Sequence, residues 1–274
     1  MKKLLTKEQH YVPQFYLKGF SEDGIHIYQY DIKKDKVHKT LIKNTCKESY
    51  LYEYKNESGK IISNNEIETV FCEIESSVAD LLKELSNKSD SNNHSEFLTD
   101  YELLILYIYL YVQLMRTRKN LLLAIENINY NENEYLNKNK ILDVLFKDID
   151  FISNDFLLKT IDMLRRLKPV VIRTTFNAFY TTDNPVFISY KNTKKHGIKL
   201  NLVKFTLSSN MALVLTDQKD KCIKNQLFIY DADHPNIDLV NIDVFRTADR
   251  YVYSKEPFSE YQIEQIKKYH RKNN

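Results

Sequence analysis

Pro169-Val170-Val171-Ile172-Arg173-Thr174-Thr175 is where the chain changes period. A β-branched run after a proline predicts a strand. Upstream of it the pattern is helical. Asn154 to Leu167 predicts one helix, and Thr99-Asp100-Tyr101-Glu102 opens another that runs to about Arg118. That second helix is apolar almost all round, which places it centrally in the core. Ser63-Asn64-Asn65-Glu66 is a cap-like start for a third, running to about Leu85, with Ile67, Val70, Phe71, Ile74, Val78, Leu81 and Leu82 at helical spacing. Asn87 to Asn93 is a polar linker, and the Asn-rich stretch from Asn120 to Lys140 reads as an exposed helix or a loop.

Downstream, Ala178 to Thr182, Val186 to Ile188, Lys204 to Leu207, Met211 to Thr216 and Gln226 to Tyr230 continue as strands. Helices are expected over Asp238 to Tyr251 and Pro257 to Arg271. At the other end, Ser21 to Tyr54 reads as a small β unit: Ile25 to Tyr30 alternates with period two, Val37 to Ile42 is a second strand candidate and Ser49 to Tyr54 a third, with Asp23-Gly24 and Asp31 to Asp35 as turns. Strands, then helices, then strands imply an α+β fold. The expected layout is a small N-terminal β meander, central long helices and a C-terminal, mainly antiparallel sheet with terminal helices. One domain over 1–274 is expected, with sub-regions 1–60, 61–168 and 169–274.

Composition narrows the function. The 40 basic and 37 acidic residues leave a net charge of +3, too balanced for a dedicated nucleic-acid binder. Twenty Tyr and fourteen Phe without Trp, beside abundant Lys, Asn and Ile, read as the bias of an AT-rich genome. The basic runs Lys33-Lys34, Arg116 to Lys119, Arg165 to Lys168 and Lys267 to Lys272 suit solvated helix ends; only several on one face would make a phosphate-binding surface. Four Gly and no matching motif argue against a P-loop or dinucleotide cradle. Cys46, Cys72 and Cys222 lack zinc spacing and suit reduced thiols in a cytoplasmic protein. Met1 to Leu5 begins like a signal peptide, but Thr6 to His10 cuts the apolar region short. The most apolar run, Leu103 to Val112, falls well below the ~20 residues that span a bilayer, so no membrane role is expected.

His10-Tyr11-Val12-Pro13-Gln14-Phe15-Tyr16-Leu17 resembles the opening signature of the bacterial DUF4238 family. Further stretches resemble it in order. They are Ile67-Glu68 to Glu75, Gln113-Leu114-Met115-Arg116-Thr117, Thr182-Asp183-Asn184-Pro185-Val186 and Phe205-Thr206-Leu207-Ser208, then Asn241 with Ala248 to Ser254. Ser208-Ser209 departs from a more typical Leu-Ser-Pro-like turn. The resemblance spans Gln9 to Ser254 and implies a full-length family member, with no substrate or mechanism attached.

The motifs supply site residues. His10, between aromatics and before a proline, suits a general base; the alternative is a ring that ties the N-terminus to the core. Asp183 at a sheet end can orient an imidazole, and Asn184 can donate to an oxyanion; a plain Asx-capped turn is the alternative. Gln113 and Arg116 lie three apart on one helix face, where Arg116 can clamp an anion or pair with Glu68 or Glu75. Those two glutamates, seven apart on one face, can also join a divalent metal site with His10 and Asp183. Arg246 and Arg250 can add positive charge or flank the last helix. Ser49, Ser208 and the cysteines lack a nucleophile-elbow context.

The leading expectation is a metal-independent hydrolase or transferase on a phosphate-bearing substrate, RNA among them. His10, Arg116 and Asp183 are its catalytic residues, and Gln9, Gln113 and Asn184 its substrate-binding residues. A non-enzymatic binding or regulatory protein, for example in stress or phage defence, is the alternative, and a metal-dependent nuclease is third. No cofactor and no oligomeric state follow from the residues.

Overall fold

A computed structural model of the chain describes residues 5–88, 95–126, 134–149, 153–193, 197–217 and 225–270. Strand β1 (Glu8–His10) leads into the short helix α1 (Gln14–Leu17), then β2 (His26–Asp31), β3 (Lys36–Leu41) and β4 (Lys47–Ser49). Helix α2 (Glu66–Lys88), strand β5 (Ser95–Phe97) and helices α3 (Asp100–Met115), α4 (Arg118–Glu126), α5 (Glu134–Phe146) and α6 (Asp155–Arg165) follow. The C-terminal part holds β6 (Lys168–Arg173), β7 (Thr181–Thr182), β8 (Val186–Thr193), β9 (Gly197–Ser208), β10 (Met211–Thr216), β11 (Gln226–Asp231), α7 (His234–Thr247), β12 (Tyr251–Ser254) and α8 (Glu260–His270). The fold is α+β, as the order of patterns implies.

A six-stranded sheet in the order β5-β11-β6-β10-β9-β8 forms the centre. Its neighbours pair antiparallel except β11 and β6, which are parallel. Side chains alternate across it with period two. Val171, Phe205, Leu213, Leu215 and Ile229 join the core that α2 to α6 cover. Val170, Ala212, Val214 and Phe228 face Ile237, Val240 and Val244 of α7 and Ile266 of α8. A sheet covered on both faces explains why Met211-Ala212-Leu213-Val214-Leu215 is apolar without a break. Each fully buried Leu, Ile or Val there contributes roughly 1.5–3 kcal/mol.

The central helix starts where expected: Thr99 accepts from the Glu102 N–H and the Glu102 carboxylate accepts from the Thr99 N–H. Helix α6 starts at the Asn154 cap. Helix α7 starts four residues before the expected Asp238, because Asp233 caps it and Pro235 occupies its first turn. It ends at Thr247, since the chain turns into β12. The Asn-rich stretch contains the end of α4 and the start of α5; 127–133 lie outside the described residues, as do most of the 87–93 linker and Cys222.

The hairpin β2–β3 forms as read, but its third partner comes from far away. β12 pairs antiparallel with β2, from Tyr251↔Asp31 to Ser254↔Tyr28, and β7 pairs with β12. Ser49 to Tyr54 does not extend the meander. Tyr50 adopts a left-handed backbone (φ 56°), and β4 pairs with β1 instead. The N-terminal motif docks on the turn between β9 and β10. The Ser209 N–H donates to the Gly19 carbonyl at 3.0 Å. A Cβ at Gly19 would stand 3.1 Å from the Leu207 carbonyl oxygen, so the close approach favours glycine.

Candidate functional site

Helices α2 and α3 face each other with a polar stripe between apolar neighbours. Glu68, Phe71 and Glu75 share one face of α2, and Tyr109, Gln113 and Arg116 one face of α3 by their helical spacing. Arg116 caps the C-terminal end of α3 and is 1% exposed. One guanidinium nitrogen pairs with the Glu75 carboxylate, and the other donates to the His10 carbonyl at 2.5 Å. The guanidinium lies 4.3 Å from the Phe71 ring centroid and 5.7 Å from that of Tyr52. Tyr52 Oη donates to the Arg116 carbonyl at 2.8 Å. Two aromatic rings and one carboxylate thus compensate a cation removed from water.

Around this pair, polar atoms are buried without partners among the described residues. They are His10 Nε2, Glu68 Oε2, Tyr109 Oη, both polar atoms of the Gln113 amide, and Arg116 Nε. Buried polar groups are almost always paired in native proteins, so a cluster of unpaired ones calls for a reason. Burial is also the largest influence on the two titrating members. It pushes the Glu68 carboxyl up to about 7, against the pull of Arg116. It holds the His10 imidazole below its ordinary 6.5, against a hydrogen bond to the Lys43 backbone. The Glu68 shift brings its proton exchange close to neutral pH, whereas the His10 shift favours the uncharged imidazole there.

The structure therefore brings Arg116 to His10 through the His10 carbonyl, with Gln113 one turn back on the same face of α3 by spacing. Asp183 and Asn184 have another setting. Asp183 Oδ1 accepts from the Asp249 N–H at 2.9 Å, and Oδ2 from the N–H groups of Arg250 at 2.8 Å and Tyr251 at 3.1 Å. The carboxyl caps the turn that enters β12. Asn184 accepts from Thr117 Oγ1 at 3.1 Å and donates to the Thr247 carbonyl at 3.2 Å, bridging the α3–α4 junction to the end of α7. Gln9 is fully buried; it donates to Glu53 at 2.8 Å and accepts from the Tyr52 N–H at 2.8 Å. These three tie segments together.

The remaining residues read as structural. Arg250 donates to Asp31 at 2.7 Å and Arg246 to Asp243 at 2.9 Å. Ser49 donates to Glu8, and Ser208 to Asn210. Cys46 is a buried free thiol that donates to Tyr253 Oη at 3.1 Å, and burial pushes it up, away from nucleophilic character. Among the described residues no three His, Cys, Asp or Glu side chains are arranged to hold a metal ion. No described helix is long and apolar enough to cross a membrane. Tyr109 escaped the sequence reading because it sits inside an apolar run. Its spacing of four and seven from Gln113 and Arg116 is the signal that points to it.

A family model described as a protein of unknown function (DUF4238) matches residues 8–257. The chain belongs to the DUF4238 family. No curated protein and no solved structure matches it. In this DUF4238 chain the family-like stretches meet in two groups. Those holding His10, Glu68 to Glu75 and Gln113 to Arg116 converge on the buried guanidinium. Those holding Asp183 and residues 248–254 join through the capped turn.

Proposed function

We propose that this protein is a hydrolase or transferase whose proton-transfer centre is the polar cluster around Arg116. The observation that carries the reading is Glu68, whose carboxyl is pushed up to about 7 with one oxygen buried and unpaired. A general acid or base works best with its titration near the operating pH. Neutral His10 is the second proton-exchanging group. Arg116 holds the centre together, its charge already balanced by Glu75. Arg116 Nε, the Gln113 amide and Tyr109 Oη are donors suited to a phosphoryl oxygen, so phosphate-bearing substrates, RNA among them, come first. Asp183 acts in this reading as a cap that places β12. Cytoplasmic residence is part of the proposal, in keeping with the free thiol of Cys46.

The test is turnover of end-labelled RNA and DNA and of simple phosphate esters, with and without Mg²⁺ or Mn²⁺. Wild type is set beside Glu68→Gln and His10→Gln variants of unchanged melting temperature. Loss of at least ~100-fold in both supports the centre, in line with a general acid–base contribution. Equal turnover in wild type and both variants overturns it. The second reading, a non-enzymatic binding or regulatory protein, is favoured because Arg116 pairs with Glu75 and Asp183 with backbone N–H groups, both inside the fold. It predicts no turnover by wild type on any of these substrates.

A further inference from the structure

On the opposite face of the central sheet, α7, α8 and residues 176–180 enclose a groove of ≈ 430 Å³. That volume suits one nucleoside-sized ligand. Two of its rings are open to solvent, Phe176 at 49% and Tyr261 at 66% exposed. Large aromatic side chains left uncovered beside a cavity are stacking platforms in waiting.

The polar residues of the groove divide into two sets. Asn177 donates to Glu256, Asn241 donates to the Ala178 carbonyl, and Gln262 accepts from the Ser259 N–H. These build the wall. Asp238, Gln265 and Lys268 line the same groove, and none of their side chains makes a hydrogen bond or an ion pair among the described residues. The Lys268 ammonium lies 5.1 Å from the Tyr269 ring centroid, a contact that leaves its hydrogen-bonding capacity for a ligand.

We infer that this groove binds a nucleotide whose base carries an exocyclic amine. The base would stack on the Phe176 or Tyr261 ring. Its amine would donate to Asp238, its ring edge would meet the Gln265 amide, and its phosphate would take Lys268. An apolar occupant fits less well, because it would bury Asp238 and Lys268 without partners. The free nucleotide and the end of a single strand share this chemistry. The site stands apart from the Arg116 cluster, which lies under α2 and α3 on the other side of the sheet.

Calorimetric titration of the full chain with AMP, adenosine and a ten-residue oligoadenylate tests it. AMP is expected to bind, and Tyr261→Ala to weaken it by roughly 5- to 100-fold, the range for one stacked base. Tyr261→Phe keeps the ring and is expected to bind like wild type. Lys268→Ala should weaken AMP at least ~5-fold, the scale of one charge-assisted contact, and leave adenosine unchanged. Binding that Tyr261→Ala and Lys268→Ala weaken while the melting temperature is unchanged belongs to this groove, which separates it from the catalytic proposal. Tighter binding of the oligomer than of AMP identifies a strand as the source, and equal or weaker binding the free nucleotide. No binding of AMP or oligomer at millimolar concentration overturns the inference. So does binding that Tyr261→Ala and Lys268→Ala leave intact.

Discussion

Glu68 on α2 and Asp183 before β8 are both carboxyl groups that burial pushes up to about 7. Their hydrogen bonding differs. Asp183 receives three backbone N–H groups from a held turn: Tyr251 pairs with Asp31 of β2, and the Arg250 carbonyl accepts from the Ile32 N–H. Glu68 has an oxygen buried with no donor among the described residues, near a guanidinium whose two terminal nitrogens are committed elsewhere. The same perturbation therefore marks a fully paired joint in one place and an incompletely paired centre in the other. A shifted carboxyl identifies a site only when its hydrogen bonds are counted as well.

The most damaging single change should fall at the hub of the Glu68 cluster. Arg116→Ala strands Glu75 and removes the guanidinium from between Phe71 and Tyr52. A loss of about 3–5 kcal/mol is expected for a broken buried pair, read by urea unfolding at pH 7. Arg116→Met combined with Glu75→Leu should recover most of that loss, since both charges are then gone. A cost below about 1 kcal/mol for Arg116→Ala would mean that the cluster is wet and its unpaired atoms carry no message.

Asp183→Asn comes next. It sets an NH₂ group or a single oxygen against three N–H donors. Leaving at least one buried donor unpaired costs about 1–3 kcal/mol. Glu68→Gln removes no described hydrogen bond from Oε2 and should cost less than 1 kcal/mol at pH 7. Equal losses at the two positions, measured by the same unfolding experiment, would erase the contrast between joint and site.

A pH scan sharpens the comparison further. Between the ordinary values of 4.5 for Glu68 and 3.8 for Asp183 and their folded values of about 7, the folded state holds protons that the unfolded state has released. Their contribution is complete below that window and is lost as pH rises through about 7. His10 has the opposite sign: its folded value lies below 6.5, so its contribution is lost as pH falls below that value. Stability should thus drop by at least ~1 kcal/mol from pH 5 to pH 8, and Glu68→Gln and Asp183→Asn should each flatten part of the drop. A drop that neither variant changes would place its origin in other groups.

The two regions were also unequally legible in the sequence. Helix α3 announced itself by Thr99 and Glu102, and the central strands by their β-branched and apolar runs. Gln113 and Arg116 were placed on one face by spacing alone, and Glu75 was foreseen as one of two partners for Arg116. The joint was harder to see. The partners of Asp183 are backbone N–H groups of residues 249–251, and every sequence carries such groups. Likewise the pairing of β12 with β2 closes a loop of more than 200 residues, and no local pattern encodes which distant strand completes a hairpin. Local chemistry reads well from a sequence. Chemistry that depends on which distant segment arrives does not.

The smallest expected effect is the most discriminating. Gln113 is fully buried, and both polar atoms of its amide lack partners among the described residues. A buried amide without hydrogen bonds is a cost that the fold bears, so Gln113→Leu should raise stability by roughly 0.5–1 kcal/mol, the shape being nearly kept. If the cluster is a working centre, the same substitution removes a donor and an acceptor from it and turnover falls while the melting temperature rises. Stability gained with function lost is the signature of a site whose polar groups are held ready at the expense of the fold. If Gln113→Leu instead lowers stability, the amide is satisfied in solution by ordered water, and the cluster becomes a second joint like the one at Asp183.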